Sequence, residues 1–110
     1  MREIFHGKLL RLLSNKPLLL IVDDDPLISD ALSYAFAAEF DVVTSHARPH
    51  CLALLRQLRQ APQVALVDLG LPPQPHRPDE GVALIGELLA HAPEMKIIVL
   101  SGQNGDDNAL

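Results

Sequence analysis

Four short apolar runs mark the chain, at Leu18–Val22, 40–45, 64–67 and Lys96–Leu100, and three of them are unbroken instead of alternating. Unbroken runs of this length suit strands covered on both faces, because a strand with one wet face carries polar residues at every second position. Between the runs, apolar side chains return at helical spacing: Ile28, Ala31, Leu32, Ala35 and Phe36; then Leu52, Leu55 and Leu58; then Val82, Ile85, Leu88, Leu89 and Ala92. Each set predicts a helix with one apolar stripe. The punctuation agrees. Asp25 before Pro26 offers an N-cap and a proline in the first turn, while Ala61-Pro62 and Ala92-Pro93 predict the ends of the second and third helices. The resulting order, βαβαβαβ, predicts a parallel sheet covered by helices on both sides and joined by right-handed crossovers.

Two segments fall outside that alternation. Residues 3–13 carry Ile4, Phe5, Leu9, Leu12 and Leu13 and predict an amphipathic helix ending near Ser14 and Asn15. Residues 72–78, with four prolines, predict a surface loop, since proline can neither continue a helix nor donate to a central strand ladder. The domain reading is therefore an N-terminal extension over 1–16 and one folded unit over 17–110.

Composition narrows the class. With 110 residues and 48% apolar content the chain can build one core unaided. Its single cysteine, Cys51, excludes an internal disulfide and suits a reducing, cytoplasmic setting. The apolar runs fall far short of the roughly 20 residues of a membrane span, and residues 1–16 lack the pattern of a secretion signal. A net charge of −5 argues against direct contact with nucleic acid.

The candidate chemistry sits where an open parallel sheet binds ligands, at the carboxyl ends of its strands. The first strand runs into Asp23, Asp24 and Asp25, the third into Asp68, and the fourth into Ser101 and Gly102. Carboxylates gathered at one point repel unless protons or a cation neutralise them. Oxygen-only ligands suit Mg²⁺ better than zinc, and Mg²⁺ beside a carboxylate prepares phosphoryl transfer. Asp25 reads as the N-cap of the helix that Pro26 opens. His46 and His50 have helical spacing, but Pro49 between them argues against a prepared zinc site; His6, His76 and His91 read as surface residues, and Cys51 as a packing residue.

Three fragments together resemble the response regulator receiver domains of two-component signalling, the CheY-like superfamily: Leu20-Ile21-Val22-Asp23-Asp24-Asp25-Pro26, Ala65-Leu66-Val67-Asp68-Leu69-Gly70-Leu71-Pro72, and Ile98-Val99-Leu100-Ser101-Gly102. The resemblance covers residues 18–102. It implies a flavodoxin-like doubly wound sheet of strand order 2-1-3-4, without the family's fifth βα unit and with an extra N-terminal helix. It further implies that Asp68 accepts a phosphoryl group from a sensor histidine kinase, that Asp24 and Asp68 bind Mg²⁺ directly with Asp23 acting through water, and that Gly70 adds its backbone carbonyl. Ser101 would hydrogen-bond the phosphoryl oxygens. The protein would then be a signalling phosphoacceptor and not an enzyme, controlling a transcriptional effector domain outside this chain.

The sequence departs from the family in two ways. The family's fifth strand, which ends in a lysine, and its fifth helix are not reached, and Lys8, Lys16 and Lys96 do not fall where that lysine would. This leaves the fourth strand as an apolar edge, which residues 3–13 are expected to cover within the chain or across a homodimer, or else, as an equal alternative, the chain is a piece of a longer protein in which those residues meet another domain. It also keeps open a receiver that binds partners without phosphorylation. The second departure is the spacing from Asp68 to Glu80 and Gly81, lengthened by the proline-rich loop. A phosphohydrolase would want a second aspartate two residues after the nucleophile, and Gly70 stands there.

Overall fold

The computed structural model describes residues 15–100, and all statements below concern those residues. Four strands, β1 (Leu18–Val22), β2 (Asp41–Ser45), β3 (Val64–Asp68) and β4 (Lys96–Leu100), form one sheet in the order β2-β1-β3-β4. Every pairing is parallel, with Leu20 opposite Val43 on one side and Ala65 on the other, and Ala65 opposite Ile97. Helices α1 (Pro26–Phe36), α2 (Arg48–Gln57) and α3 (Asp79–His91) make the three crossovers. This is the parallel sheet that the alternation of elements predicts, in the flavodoxin-like strand order that the resemblance implied. The expected helix at 3–13 and the candidate Ser101 lie outside the described residues.

Helices cover both sides of β1 and β3, as their unbroken runs predict, whereas β4, also unbroken, keeps Ile98 and Val99 exposed among the described residues. All five residues of β1 are buried. Leu20 and Val22 point into the larger core layer, with Ala65, Val67, Cys51, Leu55, Leu84, Leu88 and Met95. Leu19 and Ile21 point into the opposite layer with Leu66, where Leu32, Phe36, Phe40 and Val42 pack against them. α1 thus covers one face while α2 and α3 cover the other. Each fully buried Leu or Val contributes about 1.5–3 kcal/mol by leaving water.

The helix boundaries follow local chemistry, with one correction. Asp25 caps α1, its Oδ1 accepting the Leu27 N–H at 3.0 Å, and Pro26 occupies the first turn. Lys16 Nζ donates to the Ala37 carbonyl at the other end, at 3.1 Å. α3 stops at His91, just before Pro93, as expected. α2, however, ends at Gln57, well ahead of Ala61-Pro62; Leu58 is extended, with its N–H turned back onto Leu55 O at 3.3 Å. Leu58 still packs against the core, now from the cap.

The apolar stripes are also narrower than their periodicity implied. Ile28 is 44% exposed and Val82 57% exposed. In α1 the buried first-turn residue is Ser29, because that turn has passed the apolar sheet and lies against the polar groove at the strand ends. In α3 the Gly81, Leu84 and Leu88 line faces inward, and Val82 and Leu89 lie roughly 100° round the helix from it. β4 has one strand partner among the described residues, and Ile98 and Val99 are exposed. No helix among the described residues is long and apolar enough to cross a membrane.

Candidate functional site

The strand order reverses direction between β1 and β3, since β2 lies to one side of β1 while β3 and β4 follow on the other. The crevice at such a switch point opens beyond the carboxyl ends of the two strands. Asp23 and Asp24 leave β1 there, and Asp68 is the last residue of β3. One carboxylate oxygen from each of the three lies within 4.8 Å of the others. Among the described residues this is the one group of three or more histidine, cysteine or acidic side chains close enough to share an ion.

Local hydrogen bonds hold each acid. Asp23 is buried; its Oδ1 accepts the Asp25 N–H at 2.9 Å and its own N–H donates to the Ser45 carbonyl at 3.1 Å. The chain therefore turns from β1 into α1 over a run of aspartates, of which Asp23 and Asp25 each accept a backbone N–H two residues on, the short-range bonding that makes aspartate a turn and cap residue. Asp68 is partly buried and its Oδ1 accepts the Gly70 N–H at 3.0 Å. That bond is the role the geometry gives Gly70. Asp25, as expected, belongs to the cap and stands outside the acidic group.

Electrostatics set these carboxyls against one another. Burial pushes the Asp68 carboxyl above the usual carboxylate range, opposed by the Gly70 N–H and reinforced by the charges of Asp23 and Asp24 and a hydrogen bond from Asp24. Burial likewise raises Asp23, against the bond from Asp25, with Asp24 and Asp25 adding repulsion. Three carboxylates this close repel one another, and a divalent cation among them would offset that repulsion. Three hard oxygen donors with open water on one side fit a small octahedral ion.

An open groove of about 450 Å³ runs from Asp23 and Asp24 past Ser29 to Thr44 and His46. The His46 and His50 rings lie 4.8 Å apart at 30°, and Ser45 Oγ bonds His50 Nδ1 at 2.7 Å. The proline-rich loop forms exposed turns, closed by Arg77 N–H to Gln74 O at 3.0 Å, and it contains a cis bond between Pro72 and Pro73. It leads into α3, where the Gly81 N–H donates to the Leu69 carbonyl at 3.1 Å.

Sequence reasoning missed one link between α2 and α3. Arg48, in the first turn of α2, forms a two-pronged ion pair with Glu87 of α3, at 2.8 and 2.9 Å, and reaches Glu80 at 3.2 Å. Its signal in the sequence was a cation in a first helical turn, where the helix dipole disfavours one.

The model of the response regulator receiver domain matches residues 19–110. No curated protein matches the chain. Among solved structures, a CheY-like response regulator receiver domain protein from Methanospirillum hungatei JF-1 is 27% identical, with a TM-score of 0.69 over 83% of this chain and 68% of that one. A BeF3-activated DrrB receiver domain is 22% identical, with a TM-score of 0.68 over 83% and 70%. A response regulator from Burkholderia pseudomallei, solved with a phosphorylated aspartic acid, a calcium ion and citrate, is 24% identical, with a TM-score of 0.68 over 81% of this chain and 49% of that one.

Proposed function

Because the chain belongs to the response regulator receiver domain family, we propose that it is a phosphoacceptor in two-component signalling, with Asp68 taking a phosphoryl group from the phosphohistidine of a sensor kinase. The observation that carries this reading is the convergence of Asp23, Asp24 and Asp68 within 4.8 Å at the crevice between β1 and β3. A carboxylate oxygen of Asp68 would form the new P–O bond as the P–N bond to the donor histidine breaks, leaving that histidine neutral once it takes up a proton.

Mg²⁺ is the cofactor this donor set fits. Asp24 and Asp68 would hold it, with Asp23 acting through water and Gly70 adding its carbonyl. When bound, it offsets the repulsion between an anionic nucleophile and an anionic phosphate. The phosphorylated aspartate and calcium ion of the Burkholderia pseudomallei relative fit the same arrangement. Ser101, one residue past β4, would bond the phosphoryl oxygens, so that phosphorylation favours a rearranged state. A cytoplasmic location and a transcriptional effector domain outside this chain complete the reading.

Intact mass after incubation with Mg²⁺ and a small acyl phosphate tests it, with Asp68→Asn alongside. A phosphoryl adduct on the parent, absent from the variant, is the expected result. An adduct on both proteins would refute Asp68 as acceptor, and no adduct on either would favour a receiver that works by binding alone.

A further inference from the structure

Arg48 occupies a position that its own helix does not favour. The first turn of α2 has no acidic residue and no side-chain cap, and Ala47 stands at the N-cap. A cation there opposes the helix dipole. Its partners come instead from α3. Nε and one terminal nitrogen meet the two carboxylate oxygens of Glu87, and the other terminal nitrogen meets Glu80. The three side chains are one-quarter to about one-third exposed, and the fork holds the Glu87 carboxyl below its ordinary range. Planar two-pronged pairing fixes orientation in a way a single point charge cannot.

What the fork connects matters more than its own strength. On the α3 side, Glu80 directly precedes Gly81, whose N–H bonds the Leu69 carbonyl; Leu69 follows Asp68, and the next amide, from Gly70, holds the Asp68 carboxylate. On the α2 side, Arg48 follows Ala47, whose carbonyl accepts Ser45 Oγ at 3.2 Å, and the Ser45 carbonyl accepts the Asp23 N–H. One guanidinium therefore ties the first residue of α2, three residues past Ser45, to α3 at Glu80, next to the Gly81 amide, and again at Glu87 two turns further on.

We infer that Arg48 is a positioning residue, which, by clamping α2 to Glu80 and Glu87 of α3, sets the spacing of the Asp23 and Asp68 carboxylates. The inference rests on the phosphoacceptor reading for its consequence, Mg²⁺ binding and phosphorylation, but the clamp itself has a readout that needs no metal.

The experiment compares the parent with Arg48→Met and Arg48→Lys by amide hydrogen exchange without metal, then by calorimetric titration with Mg²⁺. Arg48→Lys keeps the charge and loses the fork, so it serves if the methionine variant folds poorly. Exchange at the Gly70 and Gly81 amides is expected to quicken in both variants, with Mg²⁺ affinity falling about threefold to tenfold. The sign is informative, because the loss of one positive charge would by itself tighten, not weaken, cation binding. Adding Glu87→Gln to Arg48→Met should weaken Mg²⁺ no further. Unchanged exchange at both amides overturns the clamp, as does an Mg²⁺ affinity that holds or rises in Arg48→Met. A parent that takes up no Mg²⁺ sinks the phosphoacceptor reading instead, and the exchange arm still decides the clamp.

Discussion

Replacing Gly81 by alanine sets two effects against each other on one helix. Alanine in place of glycine stabilises a helix interior by about 1 kcal/mol, through the backbone freedom that glycine loses on folding. At Gly81, however, a Cβ would run into Leu69 Cα and stand 2.7 Å from that residue's carbonyl oxygen and 2.8 Å from its carbonyl carbon, where ordinary contact begins at 3.4 Å. The neighbour is backbone and cannot rotate aside, so α3 must retreat by about 1 Å, with an overpacking cost of about 1–3 kcal/mol. Retreat also stretches the Gly81 to Leu69 hydrogen bond, worth about 0.5–1.5 kcal/mol. The net expectation is a loss of about 1–3 kcal/mol and weaker Mg²⁺ binding, since Leu69 carries Asp68. Gly86, on the same helix, would place its Cβ within 4 Å of nothing, so Gly86→Ala should stabilise by about 0.5–1 kcal/mol. Urea unfolding followed by far-ultraviolet circular dichroism measures both, the chain having no tryptophan. A Gly81→Ala protein as stable as the parent, or two variants shifted in the same direction, would refute the close approach at Leu69.

The acidic cluster gives three further expectations. Without metal, Asp23→Asn should stabilise the fold by roughly 1 kcal/mol, because it removes a buried repelling charge and keeps an acceptor for the Asp25 N–H; thermal melts would show it, and a destabilised variant counts against the repulsion. Asp23 and Asp68 are both raised in the folded state, which therefore binds more protons than the unfolded chain between the two sets of pKa values. Their contribution to metal-free stability should grow as pH falls from neutral towards the carboxylate range, and saturating Mg²⁺ should flatten that slope; urea midpoints across this window with and without Mg²⁺ test it, and a metal-free slope of opposite sign would contradict it. Apart from the cluster, burial pushes the Cys51 thiol up to about 11, so alkylation near pH 7.5 should be slow until urea unfolds the chain. Rapid labelling of the native protein would show that Cys51 is not enclosed.

Much of the site was legible because its residues stand at ends of elements. The run from Leu18 to Val22 could end only where polarity begins, so Asp23 and Asp24 were fixed to a strand tip by the same pattern that defined the strand. Asp68 followed from the third run in the same way, and Asp25 from the proline after it. What escaped was angular or long-range. Periodicity alone could not tell the inward line of Gly81, Leu84 and Leu88 from the outward Val82 and Leu89, since both are apolar and the choice depends on where α3 meets the sheet. Leu58 continued an apolar spacing past a helix that had already ended. The pairing of Arg48 with Glu87 joins residues far apart in sequence, and without the crossover geometry nothing singles out that partner.

The enclosure of β1 has a consequence for how the chain finds its alignment. A strand with one wet face resists slipping by a residue because the slip would turn its apolar set outward. β1 has no such protection: Leu18, Leu19, Leu20, Ile21 and Val22 are apolar in both directions, and a one-step slide would exchange Leu19 and Ile21 for Leu20 and Val22 with no greasy side chain exposed. What forbids the slide is the residue that follows. Drawing Asp23 and Asp24 inward would carry unpaired charge between the layers, at several kcal/mol. The aspartates thus act as a mechanical stop at the end of an otherwise frictionless strand, and the core depends on them for its alignment as much as they depend on the core for their place.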